Sequence, residues 1–443
     1  MRAALYVTLE YAIGLEGNTL REGASSTAKY YRPWQVMIPV GLATSLSLLG
    51  DVSLYAVLPT HTDAAGVAVM SVGILLSANR WIRLLLNGPI GILYERWPRR
   101  RLFVPALFIG AFSTAIYAAA DSFWPLLIGR LLWGLAWVGI WIGGNAIIID
   151  MTHAGNLGRW IGLLQASFFL GASGGSLLGG VLTDVLGYNA AMGINAGAAF
   201  LGAAIALLFL PETRPDKNAT DRENETPVTP QVVDPTRTDS LRESVSAIAL
   251  FVVNRLVIAG ILISTFSLFV VENFGDPAIL FGRTFGVATL TGIALSANSL
   301  TSMIVAPIAG QISDGLRNRW IVAAVGLVIG LVGYVLFVIA PAAVALLGIP
   351  LVAAAGASNQ AMAVALSREM AGAGQHGRRL GILFTAGDLA SAIGPPLAFA
   401  LIPLINIRGI YALSGSLLAL LLLVTFYHSA KQIHRLSGRG SSI

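Results

Sequence analysis

The sequence predicts an all-α membrane protein: twelve transmembrane helices in two pseudo-symmetric six-helix bundles. Three observations predict it. The chain of 443 residues is 56% hydrophobic and only 11% charged, where a soluble chain carries about a quarter charged residues. Long apolar runs are separated by short loops that hold most of the basic residues. One set of motifs also occurs twice at a constant offset. Gly73–Asn79 (GILLSAN) returns as Gly292–Asn298 (GIALSAN), and 292 − 73 = 219. Gly91–Glu95 (GILYE) returns as Gly310–Asp314 (GQISD), and Ala154–Gly162 (AGNLGRWIG) as Ala373–Gly381 (AGQHGRRLG), both again 219 apart. An offset held from the second span to the fifth marks a duplicated half.

The same composition excludes several classes. With no cysteine, disulfides and thiolate metal sites are ruled out. The net charge of +6 sits mainly in loops next to spans, so it calls for no nucleic-acid partner. No phosphate-binding loop, metal-binding histidine pair or nucleophile elbow is present, so the chain is read as a non-enzyme without cofactor or metal.

The elements follow in order. Residues 1–33 hold a short apolar run broken by Glu10, and the first span, 34–58, is expected to act as an uncleaved insertion signal. Further spans are predicted at 66–94, 101–120, 122–150, 158–187 and 190–210, completing a bundle over 34–210. Residues 211–244 mix both charge signs with prolines and lack apolar periodicity, which predicts a flexible linker. Asn218 and Asn224 in it match the glycosylation pattern by chance. A second bundle over 245–429 is predicted from spans at 245–272, 279–312, 319–340, 342–369, 377–405 and 408–429, with a tail at 430–443. Several runs exceed the ~20 residues that a span needs, so they tilt, curve or protrude.

Charge sets the orientation. Arg96, Arg99, Arg100, Arg101, Arg159, Arg317, Arg319, Arg368, Arg378 and Arg379 fall on one side with both termini, against Arg283 and Arg408 on the other. The expectation is a multi-pass protein of the cell (inner) membrane with both termini cytoplasmic.

Polar residues inside the spans are the candidate functional groups, because charge in the bilayer interior is costly unless it faces protein or a wet cavity. The second span carries Asn79, Arg80, Arg83 and Asn87 at helical spacing on one face. Asp51, Arg130, Asn254, Arg255, Asn298, Asn359, Gln360 and Asp388 lie in other spans. Mid-helix amides such as Asn298, Asn359 and Gln360 read first as helix-to-helix glue. Arg80, Arg83, Arg130 and Arg255 outnumber Asp51 and Asp388 by 4 − 2 = 2 charges. That surplus is compatible with an anionic or carboxylate-bearing solute held by arginine. The alternative is that the arginines pair with carbonyls and amides. Trp133, Trp137 and Trp141 share a face of the fourth span with Arg130. They read either as a cavity wall for an amphipathic solute or as an interhelical or lipid-facing stripe.

The loop after the second span resembles the signature of the major facilitator superfamily, at Gly91, Leu93, Glu95, Arg96, Arg99 and Arg100, with Glu95 for the usual aspartate and Pro98 for a glycine. Arg130 and Gly134 in the fourth span resemble a second family pattern. Gly171, Gly175, Ser176, Gly179 and Gly180 in the fifth resemble the antiporter-associated glycine pattern, with serine where proline is usual. The eleventh span keeps that pair as Gly394-Pro395, and the first ends with Leu49-Gly50 and Val57-Leu58-Pro59, similar to a further efflux pattern with Ala56 for its first proline. The chain, from about Trp34 to Tyr427, thus resembles the twelve-helix, proton-coupled drug-efflux branch.

The resemblance implies alternating access by a monomer whose partners are a small-molecule solute, protons and the lipid bilayer. It implies a latch in which Glu95 faces the start of the eleventh span near Gly377 and Arg99 pairs with Asp150. In the second half Asp314 matches Glu95 and Glu369 matches Asp150, since 369 − 150 = 219, while Asn318 replaces the arginine and should weaken that side. The alternative is that these arginines only set topology. The glycines of the fifth span read as close-packing residues, and the family implies that they also seal against proton leak. Arg83 and Asp388 each lie 11 residues from the same end of their spans (94 − 83 and 388 − 377), roughly 16 Å deep at 1.5 Å per residue. A pair of Asp388 with Arg83, or with Arg80 one turn further, is expected to hold the halves together and to be broken by a proton, with Asp51 the next candidate. The function read from the sequence is proton-coupled export of a small organic solute. The alternatives are import or facilitation of an organic anion, and a non-transporting membrane receptor or scaffold on the same fold.

Overall fold

The computed structural model describes residues 32–152, 156–214, 239–316, 318–370 and 376–439, with side chains throughout except at 239–242, 376–378 and 431–439. The leading segment, most of the linker with Asn218 and Asn224, and Arg317 lie outside the described residues.

Helix α1, Pro33–Val57, opens on proline, whose fixed φ and missing N–H suit a first turn. It is followed by α2 (Val69–Arg96), α3 (Arg99–Ala119), α4 (Phe123–Asp150), α5 (Leu157–Leu186) and α6 (Tyr188–Phe209). Three arginines at the start of α3 oppose the helix dipole. The Glu212 carboxylate offsets them by accepting the Arg99 and Arg100 backbone N–H groups at 2.8 and 3.1 Å. Helix α7 runs through Asp239–Asn254, a π-helical stretch Arg255–Leu262, and Ile263–Phe274. Then come α8 (Val287–Leu316), α9 (Arg319–Ile339) and, after one turn at Ala342–Ala345, α10 (Gly348–Glu369). The last run, His376–Arg439, breaks at Asn406, where φ is 52°. Asparagine tolerates positive φ, and the Asn406 side chain accepts the Gly409 N–H at 2.9 Å. The break gives α11 (376–405) and α12 (407–439).

One predicted boundary is corrected. The stretch read as the start of the eighth span folds as a hairpin, β1 (Ala278–Leu280) against β2 (Arg283–Phe285), with Leu280 opposite Arg283. Its two turn residues, Phe281 and Gly282, both have positive φ, at 51° and 72°, as a tight primed turn requires.

Within the first half, α1 packs on α5 and α6, α3 on α4 and α6, and α2 on α4. The second half repeats equivalent pairings, α9 on α10 and α8 on α10. The halves meet along two seams, α5 with α8 and α2 with α11. Small residues set the closeness of approach. A Cβ on Gly175 would lie 2.9 Å from the Leu49 carbonyl oxygen of α1. Gly180 abuts the Ala288 carbonyl across the α5–α8 seam, and a Cβ on Gly73 would lie 2.8 Å from the Pro395 carbonyl oxygen across the α2–α11 seam.

All of these inter-half contacts sit at the end of the molecule where α2 and α8 begin. At the opposite end, which carries the arginine-rich loops, a Cβ on Gly91, Gly162, Gly310 or Gly381 would meet nothing within 4 Å. The close inter-half contacts are thus at the far end, and these four glycines of the basic end are unobstructed. Gly175→Leu should wedge α1 from α5 and cost about 1–3 kcal/mol as overpacking. A lowered melting temperature of the detergent-solubilised protein is the expected result.

Candidate functional site

The α2–α11 seam brings charges together in the interior. Nη2 of Arg83 lies 2.9 Å from both carboxylate oxygens of Asp388, and Nη2 of Arg255, from α7, lies 3.5 Å from Oδ1. The three side chains are 19%, 11% and 25% exposed. Arg80, one turn further from the basic end, is buried and spans the halves by a different route. Its Nη1 donates to the Ser391 carbonyl at 2.5 Å and its Nη2 to the Ala259 carbonyl at 2.8 Å. Ala259 lies in the π-helical stretch of α7, where the widened ladder alters the usual carbonyl pairing. Ser391 Oγ donates to the Asp388 backbone carbonyl at 2.9 Å and so orders the turn that carries the carboxylate.

A second charged cluster is sealed inside the first bundle. Arg130 is 0% exposed. Its Nη1 donates to Asp51, its Nε to the Leu75 carbonyl at 2.9 Å, and its Nη2 to the Tyr55 hydroxyl at 3.0 Å and the Leu76 carbonyl at 3.2 Å. Asn79 Nδ2 approaches Asp51 at 3.5 Å. The Tyr55 ring links the clusters, with the Arg80 guanidinium 5.3 Å and that of Arg130 5.2 Å from its centroid.

Several expected cavity residues therefore sit elsewhere. Arg130 and Asn79 are bundle core: the Arg130 guanidinium binds partners in α1 and α2, and Asn79 is buried with Nδ2 facing Asp51 and Oδ1 without a partner among the described residues. Trp133 is 1% exposed and packs on Gly110 of α3. Trp137 and Trp141 stack at 5.6 Å and close on Phe168 of α5, at 5.7 Å from each. The ladder is thus interhelical packing for Trp133 and an α4–α5 contact for its neighbours. Asn254 ties α7 to α10 through the Gly356 carbonyl at 3.2 Å. Asn298 and Asn359 are buried, whereas Gln360 is exposed. Of the expected cavity residues beyond the proton-coupling set, Arg255 alone joins Asp388.

The basic end shows a related rearrangement. Arg99 Nε pairs with Asp150 at 2.8 Å. In the second half Arg319, one residue beyond the matched position, bonds Glu369 at 2.6 Å and Asp314 at 3.1 Å. Asn318 caps α9 by accepting from the Trp320 and Ile321 N–H groups. The arginine is displaced by one position rather than lost. Its pairs are more exposed, with Asp314 at 72% and Glu369 at 54% against 10% for Asp150, which makes them weaker. Gly91 is unobstructed, and Glu95 and Arg96 are exposed. The expected contact of Glu95 near Gly377 lies outside the described side chains.

Three contacts that brace the loops and seams had no motif to mark them. Glu212 caps α3, and Arg214 donates to the Glu95 carbonyl at 2.8 Å and to the Arg96 carbonyl. The start of the linker thereby clasps the α2–α3 loop. At the far end Asp184, near the end of α5, accepts the Thr289 N–H in the first turn of α8 at 2.6 Å. A Cβ on Gly286 would collide with that carboxylate. The paired signal, an acid ending one span and glycine preceding another, is present but unremarkable in sequence.

Comparison with known proteins agrees with this architecture. The family model described as the Major Facilitator Superfamily matches residues 40–296 and 261–441. The chain belongs to that superfamily. It is similar to the inner membrane transport protein YajR of Escherichia coli, 27% identical over 39% of this chain and 38% of that protein. It is also similar to the tetracycline resistance protein, class G, of Vibrio anguillarum, 30% identical over 34% of this chain and 38% of that protein. The chain thus spans under two-fifths of the length of these two relatives. A bacterial homologue of the human lysosomal transporter Spinster, in an inward-facing and occupied conformation, shares the fold at a TM-score of 0.72 and 16% identity, over 90% of this chain and 98% of that one. As a member of this superfamily the chain is a multi-pass membrane protein.

Two predictions follow from the sealed pair and the far-end contact. Asp51→Asn leaves the Arg130 charge buried without its partner and should destabilise by about 3–5 kcal/mol, whereas the double variant with Arg130→Leu should recover part of that loss in thermal melts. Asp184→Ala should loosen the α5–α8 seam. The cysteine-free chain accepts spin labels cleanly at Val185 and Phe281, and pulsed-EPR distances between them should lengthen in the variant.

Proposed function

We propose that this protein is a transporter of small-molecule solutes that works by alternating access and is proton-coupled, with Asp388 as the group that trades Arg83 for a proton. The observation that carries the reading is the pair itself. Among the described residues, Arg83–Asp388 is the one salt bridge that joins the two halves. It lies between the halves rather than within a bundle, and its carboxylate is partly exposed. Separating the halves on the α2–α11 seam must break it and leaves Asp388 only the longer 3.5 Å contact to Arg255 of its own half, so a proton takes the place of Arg83. Residues 34–210 and 245–429 act as the two moving bodies. Asp51, sealed with Arg130, is a weaker candidate because movement between the halves does not part that pair.

The basic end is assigned to the cytoplasm by the positive-inside rule, which puts both termini on the cytoplasmic side, and the membrane is read as the inner one. Closing the basic end would bring Glu95 to the first turn of α11, with Arg99–Asp150 and Arg319–Glu369 stiffening the two loops. A monomer suffices, since both halves of the site come from one chain.

Export of a small organic solute rests on the efflux-like patterns of α1 and α5. Passage of an organic anion is favoured by a specific observation, three arginines around one aspartate. Reconstitution tests the common core of both readings. In proteoliposomes an imposed pH gradient should drive uphill solute movement. Asp388→Asn should abolish uphill movement while sparing solute binding and downhill exchange. Normal uphill transport by that variant would remove Asp388 from the coupling site.

A further inference from the structure

Asp388 is outnumbered by cations. Arg80 and Arg83 reach its surroundings from α2 and Arg255 reaches it from α7, and no other described ionisable group comes within ion-pair distance of it. The nearest carboxylate of the sealed cluster, Asp51, is bound to Arg130. The cluster therefore carries 3 − 1 = +2. Arg80 is committed to the Ser391 and Ala259 carbonyls. Arg83 and Arg255 each give only Nη2 to Asp388, so their Nε–H and Nη1–H groups make no hydrogen bond to the described residues. A guanidinium has five N–H donors, and these two side chains are 19% and 25% exposed.

That arrangement suits an anion and opposes a cation. An incoming cation meets a surplus of positive charge and would have to win Asp388 from two arginines. An incoming carboxylate, sulfonate or phosphate ester finds donors in place. It then shares Arg83 with the Asp388 carboxylate, and two anions on one guanidinium repel. A proton on Asp388 removes the repulsion. With one monoanion and one proton bound, the cluster carries 3 − 1 = +2, the charge it has when empty.

We propose that the solute is an organic monoanion held by Arg83 and Arg255, and that it occupies the site together with a proton on Asp388, so that the two cross in the same direction. This rests on Asp388 being the proton-coupling group. It adds the sign of the coupling. An anion and the proton assist each other, and the assistance is reciprocal, whereas a cation and the proton would compete for Asp388 and give exchange. An inward proton gradient then drives uptake, so the charge on the solute selects between the two directions named above.

The test uses the purified full chain in nanodiscs, with benzenesulfonate and methanesulfonate as non-titrating monoanion probes and tetraethylammonium as the cation. Binding is followed by calorimetry from mildly acidic to mildly alkaline pH, and proton exchange by an indicator dye in weakly buffered solution. Sulfonate binding should take up one proton per molecule bound and should weaken about tenfold or more as Asp388 becomes ionised, within the range typical of coupled sites. Asp388→Asn should bind sulfonate with no proton uptake and a flat pH profile. Arg83→Gln should lose binding. Proton uptake by the unmodified chain decides the matter even where a variant fails to fold. Sulfonate binding without proton uptake overturns the co-binding and the role of Asp388, and leaves the anion site standing. Tetraethylammonium binding with proton release, lost in Asp388→Asn, overturns the anion and leaves Asp388 as the coupling group. Absence of sulfonate binding at every pH overturns the proposed site.

Discussion

A guanidinium or a carboxylate removed from water costs several kcal/mol even after relaxation, and a partner of opposite charge or well-placed hydrogen-bonding groups must offset it. This chain places such groups where the membrane interior would be, and most of the architecture follows from how they are matched. Arg130 finds Asp51 within its own bundle. Asp388 finds Arg83 across the seam. The first match makes a bundle rigid, because nothing in the relative motion of the halves disturbs it. The second ties one half to the other, since Arg83 has its carboxylate only across the seam, while Asp388 keeps a longer contact to Arg255 of its own half.

The two ends of the molecule differ in what holds them. At the far end, carbonyls meet glycines, and Asp184 caps α8 across the seam. These are short-range contacts that form only when backbones nearly touch. At the basic end each half is braced separately. Arg99 with Asp150 and Arg319 with Glu369 and Asp314 stiffen loops within one half, and Glu212 with Arg214 fastens the linker to the α2–α3 loop. The glycines of α5 divide between two tasks on adjacent faces. Gly175 admits α1 within the bundle, and Gly180 admits α8 from the other half.

Arg319 shows how a repeat is conserved in physics while it drifts in register. The matched position holds Asn318, whose side chain caps α9. The guanidinium is moved by one residue and still reaches both acids, because a long flexible side chain absorbs a displacement that a backbone-bound group could not. Residue matching at the fixed offset therefore understated the second brace.

The sequence by itself determined the class of the protein. Low charge, long apolar runs and basic loops are properties of solvation, and a bilayer enforces them locally on every span. The 219-residue offset fixed the internal duplication in the same way. Depth along a helix was also legible, because it is a count of residues, and that count placed Arg83 and Asp388 on one level. Direction around a helix was not. Whether Arg130, Asn79 and Trp133 turn toward the cavity or into the bundle depends on which neighbour fills each face, and only the tertiary structure decided that they turn inward. The hairpin at 278–285 was hidden for a related reason. Its apolar residues suit a helix as well as a strand, and only the left-handed turn at Phe281 and Gly282 separates the two. Contacts made by backbone groups, such as Thr289 to Asp184 and the Ser391 and Ala259 carbonyls to Arg80, leave no residue signature, because every residue has the same carbonyl and nearly every one the same N–H.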